Sequence, residues 1–272
     1  MNRPALCTSC NRLMGTAEVC PYCGAKRSNV RLKMRSLTGQ ITQSNSAGDL
    51  IFKITGIMFA LEILVGAFLF GDNLFTSILQ GPSGRTLVFL GASTAYVFEG
   101  YWWGPLTATF LHGGILHFGM NMFAFKQISG LVEQVTSGSF LVVSYLLSGV
   151  CGFLLSSSFG NLSVGASAGL FGLIGCGMAI SFFLGSGKDD PLFQSLSMWT
   201  IFGLVFGFLV PGIDNYAHIG GLVGGGFLGF IWSKRRVYPS FHQLVEKLAI
   251  VLAFATVAGF VHCVFTFSKE LW

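Results

Sequence analysis

Four polar residues in otherwise apolar stretches of this 272-residue chain could together perform nucleophilic chemistry. They are Ser167 in a Gly-Ala-Ser-Ala motif, His218 in an Ala-His-Ile-Gly-Gly motif, and the pair His117 and Asn121. A serine hydroxyl is a weak nucleophile until a neighbouring base takes its proton. The pair is spaced four residues apart and therefore shares one helix face, from which both side chains could donate hydrogen bonds. A hydroxyl, an imidazole and two further donors indicate a nucleophilic site.

Each of these residues also has a structural interpretation when it is taken alone. Ser167 could be a small residue that lets helices approach, or its hydroxyl could bond to the carbonyl four residues earlier. A single histidine inside a membrane span could join two helices or relay a proton. Asp214, four residues before His218, is interpreted as a loop residue or a helix N-cap rather than as the third member of a triad. The joint placement of the four residues favours catalysis.

The elements that must position these residues follow from composition. Hydrophobic residues make up 52% of the chain and charged residues only 10%, whereas soluble domains carry about 25% charged residues. This composition excludes a soluble globule, a disordered chain and a disulfide scaffold, and it indicates an all-α, polytopic transmembrane bundle. Seven spans of suitable length are predicted at 50–70, 111–128, 140–159, 167–184, 196–211, 216–233 and 248–267.

The basic residues predict the orientation of these spans. Residues 1–35 hold seven Lys or Arg residues and one acidic residue, a collar that orients a membrane protein more often than it binds nucleic acid. A cytoplasmic N-terminus puts 14 of the 16 basic residues on the inner side. The second, fourth and sixth spans then begin near the outer face, which brings the three polar motifs to one depth. The long connection at 71–108, with Trp102 and Trp103, is interpreted as an interfacial or half-inserted segment, and a plain extracytoplasmic loop is the alternative.

The N-terminal region carries a second pattern. Cys7, Cys10, Cys20 and Cys23 form two C-x2-C pairs separated by nine residues, which is typical of a structural zinc site. Disulfides are the alternative, but a cytoplasmic location disfavours them. We therefore predict a zinc ribbon over 1–28, a flexible basic linker over 29–47 and a membrane domain over 48–272. The other three cysteines lie in predicted spans and are interpreted as small apolar residues.

From about residue 50 to residue 267 the chain resembles the rhomboid intramembrane serine proteases. The resemblance is carried by four segments in order: Trp102-Trp103 with Leu106–His112, His117-x3-Asn121, Gly165–Ala168, and Ala217–Gly225. It implies a Ser167–His218 dyad without an acid, and an oxyanion site formed by the Ser167 amide with His117 and Asn121. It also implies supporting roles for four further residues: His112, Gly165, Phe171 and Gly221. The seventh span is similar to that of the "six plus one" subgroup.

Two positions depart from the pattern of that family. Gly104 follows Trp103 where an arginine is common, which concerns the packing of the first loop, and Ala168 follows the serine where glycine is common. Small residues also recur on the face of His218 (Gly221, Gly225, Gly229) and in the fourth span (Ala168, Gly172, Gly175, Ala179). Such stripes predict close packing of the fourth and sixth spans.

The sequence as a whole therefore predicts an intramembrane serine endopeptidase that cleaves transmembrane proteins near the outer face of a bacterial inner membrane. The expected partners are these substrates, the lipid bilayer and a protein bound by the zinc ribbon, with no nucleic acid. Zinc is expected to be structural, and catalysis needs no cofactor. One alternative is a non-proteolytic adaptor or quality-control factor that binds transmembrane helices. A transporter ranks last, because the chain has no internal repeat.

Overall fold

The structure is a computed structural model that describes residues 5–6, 13–15 and 46–271, with side chains described over 46–266. The chain divides into two compact units, Met1–Ser44 and Asn45–Trp272.

The first unit contains a two-stranded antiparallel ribbon. Strand β1 (Ala5–Leu6) pairs with strand β2 (Leu13–Gly15). The four cysteines that are predicted to bind zinc, Cys7, Cys10, Cys20 and Cys23, lie outside the described residues. The same is true of residues 29–45 of the predicted linker. The zinc ribbon and the linker therefore remain predictions.

The second unit is helical. Its α-helices are α1 (Ala47–Leu69), α2 (Leu74–Gln80), α3 (Gly84–Phe89), α4 (Gly104–Thr107), α5 (Ile115–Glu133), α6 (Gly138–Ser158), α7 (Ser167–Leu184), α8 (Pro191–Leu209), α9 (Asn215–Arg235) and α10 (Pro239–Leu271). Short 3-10 helices cover Ala95–Glu99, Ala108–Phe110 and Gly187–Asp189.

Each of the seven predicted spans coincides with one of the long helices. By length and hydropathy, α1, α6, α7, α8 and α10 can cross a membrane, so the protein is a multi-pass membrane protein. Helices α5 and α9 are not apolar enough to be identified in this way, because they carry polar residues and glycines of the predicted site. Seven membrane crossings therefore remain a prediction.

Capping residues determine where several helices begin. Ser46 and Ser137 accept backbone N–H bonds in the first turns of α1 and α6. Asp190 caps α8, whose first residue is Pro191, so this helix begins five residues before the predicted span. Helix α5 begins four residues later than predicted, because Leu111 is extended and Gly114 takes a positive φ of 103°.

Helix α7 occupies the centre of the bundle. In its most apolar 18-residue stretch 67% of the residues are buried, against 11% for α8. Three small-residue contacts join the backbones of α7 and α9: Gly221 against Ala168, Gly225 against Gly172, and Gly229 against Cys176. The predicted close packing of the fourth and sixth spans is confirmed. Because a hydrophobic driving force is weak in lipid, such backbone contacts fix the relative height of two helices.

The segment between α1 and α4 packs against the bundle through α2, α3 and buried residues such as Leu87 and Phe89. Gly104 lies against the Ala92 backbone, so that a Cβ would come within 3.2 Å of the Ala92 carbonyl oxygen. Near its start, Asp72 accepts hydrogen bonds from the Ser83 amide (2.9 Å) and the Thr86 hydroxyl (2.8 Å). Burial raises the pKa of Asp72 while these hydrogen bonds lower it, and the net shift is downward.

Candidate active site

Ser167 is the first residue of α7 and is half-buried. The preceding turn depends on Gly165, whose φ of 134° suits glycine and whose amide donates to the Ala108 carbonyl oxygen at 3.0 Å. A Cβ at Gly165 would lie 2.9 Å from His117 Nε2 and 3.7 Å from Ser167 Oγ. The serine hydroxyl and the His117 ring therefore face the same glycine.

His218 lies in the first turn of α9 and is 5% exposed. Asp214 caps this helix by accepting the amides of Tyr216 (3.0 Å) and Ala217 (3.1 Å), and its second oxygen accepts the Ser156 hydroxyl. The N-cap interpretation of Asp214 is confirmed. The carboxylate is occupied in starting the helix.

Among the described residues, the hydrogen-bond partner of the His218 ring is Asn215. Its side-chain amide donates to the Leu204 carbonyl oxygen of α8 at 3.3 Å, which turns Oδ1 towards His218 Nδ1 at 3.2 Å. Because Oδ1 only accepts hydrogen bonds, the Nδ1 atom of neutral His218 carries the proton. Nε2 then carries the free lone pair, and this tautomer can act as a general base through Nε2.

The contact of Phe171 with His218 shows on which face of α7 the imidazole lies. The Phe171 ring stacks on the His218 ring with 4.2 Å between centroids and 11° between planes. Phe171 and Ser167 are four residues apart in α7 and share one face of the helix. The imidazole therefore lies on the Ser167 face of α7, at the height fixed by the contact of Gly221 with Ala168.

Ser167 and His218 form no direct hydrogen bond among the described side chains. In enzymes without substrate, the bond between nucleophile and base is often long or poorly aligned. The dyad thus remains a prediction.

His117 and Asn121 lie on one face of α5. His117 Nδ1 accepts the Gly113 amide at 3.2 Å, so the neutral ring carries its proton on Nε2, the atom that faces Gly165. Asn121 is buried, and its amide nitrogen donates to the His117 carbonyl oxygen at 3.0 Å. The amide group has two N–H donors, and this bond uses one of them. The oxyanion roles of both residues remain predictions.

His112 contacts both His117 and the residue that precedes Ser167. It is fully buried, its Nε2 accepts the Ala166 amide at 3.4 Å, and its ring packs against that of His117 with 5.2 Å between centroids. The backbone amide of His112 donates to both carboxyl oxygens of Glu62, at 3.0 and 3.2 Å.

Glu62 and Asn215 are not among the site residues predicted from the sequence. For Glu62 a signal was present, since it is the only charged residue between Lys53 and Asp72. For Asn215 the sequence offered only its place three residues before His218, which does not distinguish a ring partner from a cap.

A cavity of about 700 Å³ opens beside the start of α9. It is lined by the end of α8, by the loop at 210–214 and by Asn215 and Tyr216. Asn215 lines this cavity and also contacts His218, whereas neither His218 nor Ser167 is among the lining residues. Within the described part of the chain, no group of three or more His, Cys, Asp or Glu side chains could hold a metal.

Comparison with known proteins adds a family assignment. Residues 99–235, which include all the predicted catalytic and oxyanion residues, match the Rhomboid domain. "RHOMBOID-like protein 7" of Arabidopsis thaliana is 32% identical over 221 residues, 74% of this chain and 70% of the relative. "Rhomboid protease GluP" of Bacillus subtilis (strain 168) is 33% identical over 181 residues, 65% of this chain and 35% of the relative. "RHOMBOID-like protein 4" of Arabidopsis thaliana is matched over 46% of its length, so the chain spans about half or less of several relatives.

Proposed function

Because the chain belongs to the rhomboid family and is a multi-pass membrane protein, we propose that it is an intramembrane serine endopeptidase. Its substrates are transmembrane proteins, and cleavage occurs near the outer face of the membrane. Two of its relatives are named as proteases, "Rhomboid protease GluP" and "Rhomboid-like protease 3" of Toxoplasma gondii.

One observation carries the proposal, namely the stacking of His218 on Phe171, one helical turn from Ser167. In the reaction, His218 Nε2 takes the hydroxyl proton of Ser167 while Oγ attacks the peptide carbonyl carbon. The hydrogen bond from Nδ1 to Asn215 supports this direction of proton transfer, because it leaves Nε2 free to accept.

The tetrahedral intermediate carries a negative oxygen that must be stabilised. The Nε2–H group of His117, the Ser167 amide and the remaining amide hydrogen of Asn121 are the proposed donors. Removing one such donor typically lowers kcat by ~10²–10³. The intermediate collapses as His218 gives the proton to the leaving amine, and water then hydrolyses the acyl-enzyme by the same steps. The cavity beside Asn215 is the proposed route for this water.

The substrate must present an extended peptide to this site. An intact α-helix hides its carbonyl groups in internal hydrogen bonds, so we expect cleavage where small or helix-weakening residues occur near the outer membrane face. This position depends on the proposed cytoplasmic N-terminus, which follows from the distribution of the basic residues.

In the decisive experiment, the purified full chain is incubated in lipid vesicles with a tagged protein that has one transmembrane span. We expect wild-type protein to cleave it, whereas Ser167→Ala and His218→Ala do not. Ser158→Ala is the matched control, because Ser158 is an exposed serine near the outer end of α6 and should be dispensable. Binding of the substrate without cleavage by wild-type protein would refute the protease and favour the adaptor.

We also propose that the four N-terminal cysteines hold one structural zinc ion. A module of about 28 residues is too small to fold by apolar burial alone, and metal binding would supply the missing free energy. Purified protein should contain about one equivalent of zinc, which Cys20→Ser with Cys23→Ser removes. Cys151→Ser should retain the metal, and zinc-free wild-type protein would refute the site. We further propose that this module binds a protein partner.

A further inference from the structure

Glu62 is a fully buried acidic residue in the middle of α1. A carboxyl group inside a membrane span is costly unless polar partners satisfy it. No Lys, Arg or His side chain of the described chain forms an ion pair with Glu62, and its hydrogen-bond partner is the backbone amide of His112. The buried carboxyl group of Glu62 therefore holds the backbone at His112.

That point lies in the turn Leu111–Gly114, which joins the 3-10 helix Ala108–Phe110 to α5. The turn is clamped from its other side as well, because the positive-φ residue Gly114 lies against the end of α2. A Cβ at Gly114 would come within 2.6 Å of the Leu79 carbonyl oxygen. The turn is therefore held between α1 and α2.

Two groups of this turn reach the site. The His112 ring accepts the amide of Ala166, the residue before the nucleophile, and the Gly113 amide donates to His117 Nδ1. The first bond orients the start of α7, and the second selects the His117 tautomer with a proton on Nε2. Both bonds depend on where the backbone of His112 and Gly113 lies.

We propose that Glu62 is a positioning residue, whose carboxyl anchors the Leu111–Gly114 turn and thereby aligns His117 and the Ser167 segment with each other. The inference rests on the proposed proteolytic function. Glu62 touches neither substrate nor nucleophile, and it acts through the backbone of His112. Its removal should therefore slow the chemical step and leave substrate binding intact.

Three variants test this role in the full chain. Glu62→Leu removes the acceptor and leaves the buried His112 amide without a partner, whereas Glu62→Gln keeps one carbonyl oxygen for it. Ile51→Ala is the control for lost stability, because Ile51 is buried in the same helix three turns from Glu62. Misplacement by about 1 Å can cost 10²-fold in rate. For Glu62→Leu we expect kcat to fall roughly tenfold to a hundredfold with KM within about twofold.

Glu62→Gln should restore most of this kcat, and Ile51→Ala should lower the melting temperature without a comparable loss of kcat. A Glu62→Leu protein with wild-type kcat would overturn the inference while the protease proposal stands. Hydrogen–deuterium exchange provides a readout that needs no substrate. Exchange in residues 111–117 should rise in Glu62→Leu and not in Glu62→Gln, with α9 unchanged, and unaltered exchange in 111–117 would refute the anchoring role even if no protein is cleaved.

Discussion

The contact between Asn215 and His218 leads to a quantitative prediction for Asn215→Ala. The substitution removes the oxygen that holds His218 Nδ1 at 3.2 Å. Between neutral groups such a hydrogen bond contributes about 0.5–1.5 kcal/mol, and a bond to a charged group contributes about 1.5–3 kcal/mol. His218 is neutral before it takes the serine proton and cationic afterwards, so the bond strengthens by about 1–1.5 kcal/mol on the way to the transition state. We expect kcat to fall roughly fivefold to tenfold.

Cleavage of the single-span substrate, measured as kcat and KM in vesicles, checks this value. KM should change little, because Asn215 is assigned to the ring of His218 and not to the substrate. Asn161→Ala is the matched control, since Asn161 lines the same cavity. A folded Asn215→Ala protein with unchanged kcat would refute the tautomer argument. A loss as large as that of Ser167→Ala would mean that Asn215 takes part in the chemistry itself.

Three further predictions concern two positions at the site and one outside it. Gly165→Ala should abolish cleavage, because its Cβ would lie 2.9 Å from His117 Nε2 on a backbone with φ of 134°, and retained activity would contradict this geometry. Phe171→Leu removes the ring that holds the His218 ring on the Ser167 face of α7, and because misplacement of a reacting group slows the chemical step, kcat should fall about twofold to tenfold. Because folding lowers the pKa of Asp72, its carboxylate stabilises the folded protein at pH values above the ordinary pKa of 3.8. This stabilisation is lost as the pH falls through the lower pKa of the folded state. Asp72→Asn should therefore lose this part of the acid dependence in thermal unfolding, and an unchanged pH profile would count against it.

The sequence was sufficient to predict the helices that carry the site. Long apolar stretches must be helical in lipid, where each backbone polar group needs an internal partner. The small-residue stripes predicted the α7–α9 contact, because they are a local property of each helix. Helix starts were predicted less well. The start of α8 was set by Asp190 and Pro191, a recognisable cap, whereas the start of α5 depends on the positive φ of Gly114.

Contacts between distant segments could not be read from the sequence. The partner of Glu62 lies 50 residues away, and the bond from Asn215 to Leu204 crosses from α9 to α8. A spacing rule identifies residues on one helix face, but it does not tell which backbone group comes within hydrogen-bond distance of a given side chain. The packing of α2 and α3 against the bundle could not be predicted for the same reason. The interfacial interpretation of 71–108 rested on composition alone.

These distant polar contacts have a common physical purpose. Inside lipid the hydrophobic effect gives little preference for one helix packing over another, so alignment depends on close backbone contact and on hydrogen bonds. The glycines of α9 fix its height against α7 but leave the rings at the helix ends free to rotate. Asn215 and Asp214 connect the start of α9 to Leu204 and Ser156, and Glu62 connects α1 to the turn before α5 through the backbone of His112. We infer that the small residues determine where the site lies in the bundle, and that these polar contacts determine the direction in which its donors and acceptors point.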